Sequence, residues 1–309
     1  MNSAQSIFDK IHDNAASIRY DENIPQDIFL GRDENNRLLM FAVSNIEPVN
    51  IISSNIIEVQ KGLRKDKLWT LSFILKDTAY TDLFCHFCDD MIFYALENIN
   101  DDIINSFSAR YIKWQNMLKQ NKSGLLSKEA VKGLIGEIHF LINSLSKKYG
   151  IEKAVSSWAG MEYNTHDFIC DDLWYEIKSI KHNTDAVTIS SIEQLDCPDA
   201  GKLVINYIDD TSMADINKIT LNSIVDDMLN MINNKSLQII IYNKLIDYGY
   251  IRRQEYDNMP FKFIKKETYN VNSSFPSIRR KDIPETVKNA KYEIFITKIK
   301  DFLEAEYGY

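Results

Sequence analysis

The chain has 309 residues, enough for one large or two modest cores, and its apolar (45%) and charged (26%) fractions are ordinary for a globular protein. A formal net charge of −8 excludes a surface that coats nucleic acid throughout, so such a partner would have to meet a local concentration of cations. No run of about eighteen apolar residues marks a membrane span. Met1-Asn2-Ser3-Ala4-Gln5 carries neither the basic nor the apolar region of a secretory signal, which leaves the cytoplasm as the expected compartment.

Phe29 to Val43 is a predicted strand pair around the turn residues Asp33-Glu34-Asn35-Asn36, and Trp69 to Leu75 is a predicted strand. Helical patterns follow at Asp82 to Leu96 and Asp102 to Lys119. Residues 1–122 therefore form an N-terminal α+β module, with Asn121-Lys122-Ser123-Gly124 as the boundary. Cys85-His86-Phe87-Cys88 has the spacing of half a zinc site, but Cys170 and Cys197 do not supply a second close pair. Inside a helix, Cys85 and Cys88 are read as buried thiols.

A helix is predicted from Ser127, its N-cap, through Glu129 in the first turn to Lys147-Lys148, with Gly150 as the stop. Leu134, Ile138, Leu141, Ile142 and Leu145 are its apolar stripe. Gly136 in the helix interior costs about 1 kcal/mol relative to alanine and so predicts close approach by a neighbour beside Glu137. Lys153 to Trp158 is a predicted strand. A hairpin over His166 to Ser179 follows, then a strand at Val187-Thr188-Ile189 and a helix capped by Ser190-Ser191 that carries Glu193, Gln194 and Leu195. Lys202 to Ile208 is a predicted central strand. Residues 123–210 make up this core. The remaining block, 211–309, is a C-terminal extension packing on it. It holds a helix at Leu221 to Ile232, an apolar run at Leu237 to Leu245 that suits strand or helix, and extended segments at Phe261 to Val271 and Tyr292 to Ile299. Residues 251–300 hold twelve Lys and Arg against six Asp and Glu, a basic face suited to phosphate contacts; the alternative is an ordinary solvated surface.

The chemistry is concentrated in the hairpin. With Asp171-Asp172 as a two-residue turn, Cys170 pairs with Leu173, Ile169 with Trp174, Phe168 with Tyr175 and Asp167 with Glu176. Opposed residues share a face with Cβ atoms roughly 5 Å apart, and alternation places Lys178 on the face of Glu176. Phe168, Cys170, Leu173, Tyr175 and Ile177 form an apolar row behind them, and a slip by one residue would bury Asp167 in that row. Glu-x-Lys alone is often a solvated ion pair. Two opposed carboxylates repel, however, and a cation between them removes the objection. Mg²⁺, with Mn²⁺ as a substitute, takes one or two carboxylates, retained waters and a substrate phosphate, and the Ile177 carbonyl adds a further oxygen. Lys178 is then placed to hold or help deprotonate the attacking water.

Gly133-Leu134-Ile135-Gly136-Glu137, Ser157-Trp158-Ala159-Gly160, His166-Asp167-Phe168, Glu176-Ile177-Lys178-Ser179 and Ser190-Ser191-Ile192-Glu193-Gln194-Leu195 resemble the PD-(D/E)XK nuclease superfamily, and within it a prokaryotic group of PD-(D/E)XK motif proteins of unassigned function. Phe275-Pro276 and Tyr292 also fit. The resemblance is specific over about 127–210. It implies an α/β (α+β overall), restriction-endonuclease-like αβββαβ core with a mixed sheet, metal ligation by Asp167 and Glu176, and water activation by Lys178. It implies an outer or second-metal carboxylate at Glu137 and a positioning role for Gln194. His166 stands where the family name has proline. The implied activity is a Mg²⁺-dependent DNA endonuclease of a restriction or phage-defence cluster, with methyltransferase or ATPase partners. A homodimer would supply two sites for double-strand cutting. The alternatives are a catalytically silent DNA-binding or assembly subunit and a non-enzymatic interaction module.

Overall fold

In a computed structural model of the chain, the structure describes residues 3–120, 125–159, 166–171, 173–196 and 200–309. The boundary expected at Asn121-Lys122-Ser123-Gly124 lies outside these residues, as do Gly160, Asp172 of the turn and Cys197. The chain divides into two compact units, Met1–Gly124 and Leu125–Tyr309. No helix among the described residues is long and apolar enough to cross a membrane.

The first unit contains α1 (Ala4–Phe8), β1 (Ser17–Arg19), β2 (Asp27–Arg32), β3 (Leu38–Ser44), β4 (Ile57–Leu63), β5 (Trp69–Leu75), α2 (Thr81–Glu97) and α3 (Ile103–Gln120). Its strands form one antiparallel sheet in the order β1-β2-β3-β5-β4. The β2–β3 turn falls where the polar run predicted it, and Asn36 takes the left-handed conformation (φ 62°) that asparagine tolerates. Asp102 caps α3 by accepting from the Ile104 N–H at 2.8 Å. The fully buried rings of Phe73, Phe84, Phe87, Phe107, Tyr111 and Trp114 fill the space between sheet and helices. Cys85 and Cys88 are buried free thiols of α2.

The second unit begins with α4 (Lys128–Phe140), which runs through a π-helical turn at Leu141–Leu145 into α5 (Ser146–Tyr149). Ser127 caps it through the Ala130 N–H at 3.2 Å, and Gly150, at φ 83°, stops it. There follow α6 (Ile151–Ser157), β6 (Phe168–Cys170), β7 (Leu173–Ile180), β8 (Ala186–Ile189), β9 (Gly201–Asp210), α7 (Leu221–Asn230), α8 (Lys235–Asp247), β10 (Phe261–Val271), β11 (Tyr292–Phe295) and β12 (Leu303–Gly308). The strand expected at Lys153 to Trp158 is instead helix α6. Gly150 turns the chain so that a second helix begins at once and buries Ala154 and Val155. Only Trp158 keeps a strand-like bridge, to Phe168. The helix expected after Ser190-Ser191 is a single 3₁₀ turn, Ile192–Gln194, and the ambiguous run at Leu237 to Leu245 is helical, within α8. The segment from Tyr292 is extended only to Phe295 and then turns in a 3₁₀ helix.

One five-stranded sheet, in the order β12-β10-β9-β7-β6, organises this unit. Strands β7 and β9 are parallel and the other neighbours antiparallel, so the sheet is mixed. Residues after 210 thus supply two of its strands. Alternation divides its faces. Tyr175, Ile177, Val204, Ile208 and Phe263 pack against α4, α6, α7 and α8. Trp174, Leu203, Ile205, Tyr207 and Tyr269 pack under the two-stranded β8–β11 sheet.

Helix α4 crosses β7 and β9 at Gly136. A Cβ at that residue would lie 2.1 Å from Ser179 Oγ and 3.0 Å from Asn206 Nδ2, so any larger residue would have to displace both side chains. Asn206 Nδ2 donates to the Gly136 carbonyl at 3.3 Å, and the contact sets Glu137 beside the sheet.

The basic segment is partly used inside the fold. Arg252 pairs with Asp226, Lys262 with Asp215, Lys265 with Glu267 and Glu306, and Lys300 with Glu267. Lys266 is buried with its Nζ donating to Ser144 Oγ at 2.8 Å.

Candidate active site

The β6–β7 hairpin positions the acidic residues. Asp171 adopts φ 53° at the turn, and the ladder pairs Phe168 with Tyr175, Ile169 with Trp174 and Cys170 with Leu173, the register the two-residue turn dictates. The ladder ends there. Asp167 does not continue it opposite Glu176. Its Oδ2 reaches past Glu176 and accepts from the Ile177 N–H at 2.7 Å, while its carbonyl accepts from the Ala159 N–H at 2.8 Å. From Glu176 onward the edge of β7 next to β6 therefore carries no strand partner among the described residues. The N–H and C=O of one strand residue point to the same side. Because the Ile177 N–H meets Asp167, the Ile177 carbonyl faces the same open edge.

Glu176 is 1% exposed, with Oε1 accepting from Lys178 Nζ at 2.7 Å. Its Oε2 is buried and has no hydrogen-bond partner among the described residues. Lys178 Nζ also donates to Gln194 Oε1 at 3.1 Å, and that oxygen accepts from the Ser190 N–H at 2.8 Å. The 3₁₀ turn thus orients the lysine through the glutamine. Glu137 is buried on α4, and its Oε2 accepts from Trp158 Nε1 at 2.9 Å and from the Tyr248 hydroxyl at 2.6 Å. His166, in front of Asp167, stacks on Trp174 with centroids 4.1 Å apart.

All three carboxyls are held above their ordinary pKa values. Burial, then the Asp167 charge, pushes Glu176 up to about 8, against the opposing pull of Lys178. Burial raises Asp167 to about 6, with the Ile177 N–H and Lys178 pulling the other way. Glu137 is raised well above the carboxylate range by burial and by the charges of Asp167 and Glu176, partly offset by Tyr248 and Trp158. Hence Asp167, Glu176 and Glu137 feel one another, Lys178 joins the first two, and Gln194 joins Lys178.

Among the described residues no three His, Cys, Asp or Glu side chains converge into a metal cage of protein ligands alone. The donor set suits a hard cation of another kind. A buried carboxylate oxygen without a partner stands beside a second carboxylate and a carbonyl on an open strand edge, and Mg²⁺ needs only one or two carboxylates when water and phosphate complete its shell.

Trp158 lies in a motif that assigns it no task, and no motif signals Tyr248, Lys244 or the Ser190 N–H. The donors to Glu137 come from helices 21 and 111 residues away along the chain, and no local pattern announces such contacts.

A mixed α/β sheet carrying an Asp, a Glu-x-Lys and a helix glutamate at its open strand edge defines a PD-(D/E)XK protein. More narrowly, the chain belongs to the family described as "Putative PD-(D/E)XK family member, (DUF4420)", whose model matches residues 4–297. Comparison with curated proteins and with solved structures finds no match.

Proposed function

We propose that the protein is a Mg²⁺-dependent DNA endonuclease, with Mn²⁺ as a substitute ion, acting in restriction or phage defence. The observation that carries this reading is the buried Glu176 Oε2, without a hydrogen-bond partner among the described residues, beside Asp167 in a residue whose other oxygen is salt-bridged to Lys178. Such an arrangement opposes stability in the free protein and is resolved by a divalent ion. Asp167, Glu176 and the Ile177 carbonyl would hold that ion, with Glu137 as an outer or second-ion carboxylate. When bound, it supplies Lewis-acid stabilisation of phosphate oxygens and a more acidic water.

The chain's own groups do the rest. Lys178, steadied by Gln194, holds the attacking water and places ammonium charge near the phosphorus as negative charge builds. The sheet edge beyond Phe168, which no strand pairs among the described residues, is the proposed place for a sugar-phosphate backbone. DNA is the proposed substrate, with methyltransferase or ATPase subunits and a second copy of the chain as proposed partners.

Purified protein with Mg²⁺ should nick or cut duplex DNA. Lys178→Ala should lower the rate at least 100-fold while the chain still folds and its DNA affinity stays near wild type. Undiminished cleavage by that variant would overturn the mechanism. A second reading, a DNA-binding subunit without catalysis, draws on Lys178 being held by both Glu176 and Gln194. It predicts DNA binding without cleavage under any divalent ion.

A further inference from the structure

Helix α8 lies outside the region where the sequence motifs cluster, yet its C-cap residue Tyr248 reaches Glu137 and its Lys244 reaches the end of α6 behind it. Tyr248 caps the helix with its N–H still bonded to the Lys244 carbonyl at 3.0 Å, so Lys244 and Tyr248, four residues apart, share one face. Lys244 Nζ donates to the Val155 carbonyl at 3.1 Å and also to the Trp158 carbonyl, at the C-terminus of α6, where a cation is favoured. The Trp158 ring stacks on Tyr248 with centroids 5.4 Å apart. The indole N–H of Trp158 and the hydroxyl of Tyr248 both donate to the same oxygen, Glu137 Oε2.

We propose that Lys244 and Tyr248 form a clamp that fixes the direction of the Glu137 carboxylate at the candidate metal site. Tyr248 acts on Glu137 directly, and Lys244 acts by seating Trp158. Both donors to Glu137 are neutral, so they set its orientation without cancelling its charge. With Oε2 taken twice, Oε1 is the oxygen that neither donor uses, in a carboxylate that already feels Asp167 and Glu176. A lysine in place of either donor would neutralise the group instead. Burial holds the Lys244 amine down to about 8, and its bonds run to backbone carbonyls rather than to any of the three acids. Lys244 and Tyr248 are positioning residues on this account, and the account rests on the metal-site reading above.

The test is a calorimetric titration with Mg²⁺ and Mn²⁺, beside thermal melts without metal, on the full chain. Tyr248→Phe should weaken divalent-ion binding about 10-fold, the usual scale for a partner behind a ligand, with little change in melting temperature. Trp158→Phe, which keeps a ring and deletes the donor, should do the same, and Lys244→Met should weaken binding a few-fold. In a Glu137→Gln background Tyr248→Phe should cost nothing further. Wild-type-like binding by Tyr248→Phe, or a full extra loss in that background, would overturn the clamp while leaving the metal site standing. A wild-type chain that takes up neither ion overturns both.

Discussion

The sheet of the second unit buries carboxylates in two places, and they are treated in opposite ways. Glu267 on β10 is 0% exposed and accepts four hydrogen bonds, from Lys265 (2.7 Å), Lys300 (2.6 Å), Tyr207 (2.7 Å) and Tyr269 (2.6 Å). Despite burial, these donors hold its pKa down to about 2. Two strands away, one lysine serves Glu176 and Asp167, Glu137 is met by two neutral donors, and one oxygen of Glu176 has no partner among the described residues. Burial wins there and all three are raised. Complete pairing marks a carboxylate kept for architecture. Incomplete pairing at an equally dry position marks one kept for a ligand that brings positive charge.

The contrast can be broken by mutation. Glu267→Ala strands two tyrosine hydroxyls, removes the partner of Lys300 and leaves Lys265 only Glu306, and should cost about 3 kcal/mol or more in chemical denaturation. Glu176→Gln should instead stabilise the metal-free chain at pH 8. If Glu176→Gln proved the more damaging of the two, the distinction between paired and unpaired sites would be lost.

A pH series sharpens it further. Glu176 and Asp167 have folded pKa values of about 8 and about 6 against ordinary values of 4.5 and 3.8. Carboxyls raised in this way contribute stability that is complete below about pH 4 and is lost as pH rises through 6 and 8. The metal-free chain should therefore lose on the order of a few kcal/mol between pH 4.5 and 8.5, equivalent to roughly 2–4 °C of melting temperature per kcal/mol. Mg²⁺ should restore the loss at the alkaline end. Glu267, depressed to about 2, contributes with the opposite sign, its stability disappearing only as pH falls toward 2. A melting temperature that is flat from pH 4.5 to 8.5 and unmoved by Mg²⁺ would refute the site electrostatics.

Where the hydrophobic period was long and the punctuation strong, the chain declared its structure. Helix α4 has its Ser127 cap and Gly150 stop, β5 its seven apolar-rich residues, and the hairpin a register that only one turn length allows. Short runs did not. The strand expected at Lys153 to Trp158 rests on a run too short to fix its own period, and the left-handed Gly150 starts a helix there. The candidate site was legible to the extent that it is local. Asp167, Glu176 and Lys178 lie within twelve residues. The departure of Asp167 from the ladder toward the Ile177 N–H depends on the β6 strand ending at Phe168. Lys265 and Lys300 counted as cations for a partner in the sequence, but Glu267 uses them.

The smallest expected effect tests how α4 is seated on the sheet. Alanine in a helix interior gains about 1 kcal/mol over glycine, so propensity alone would make Gly136→Ala stabilising. Contact says otherwise, since the new methyl would meet Ser179 Oγ at 2.1 Å, and overpacking costs about 1–3 kcal/mol. We expect a net loss of about 1 kcal/mol and weaker divalent-ion binding, because Glu137 moves with its helix. Ser179 Oγ is buried without a hydrogen-bond partner among the described residues, so Ser179→Ala alone should be nearly neutral. Its Cβ lies at an ordinary 3.5 Å from the added methyl while Asn206 Nδ2, at 3.0 Å, must still give way, so combining the two changes should recover part of the stability and of the metal affinity. A stabilising Gly136→Ala would show that the helix is free to lift from the strand. In that case the closeness of Glu137 to Asp167 and Glu176 is not fixed by packing.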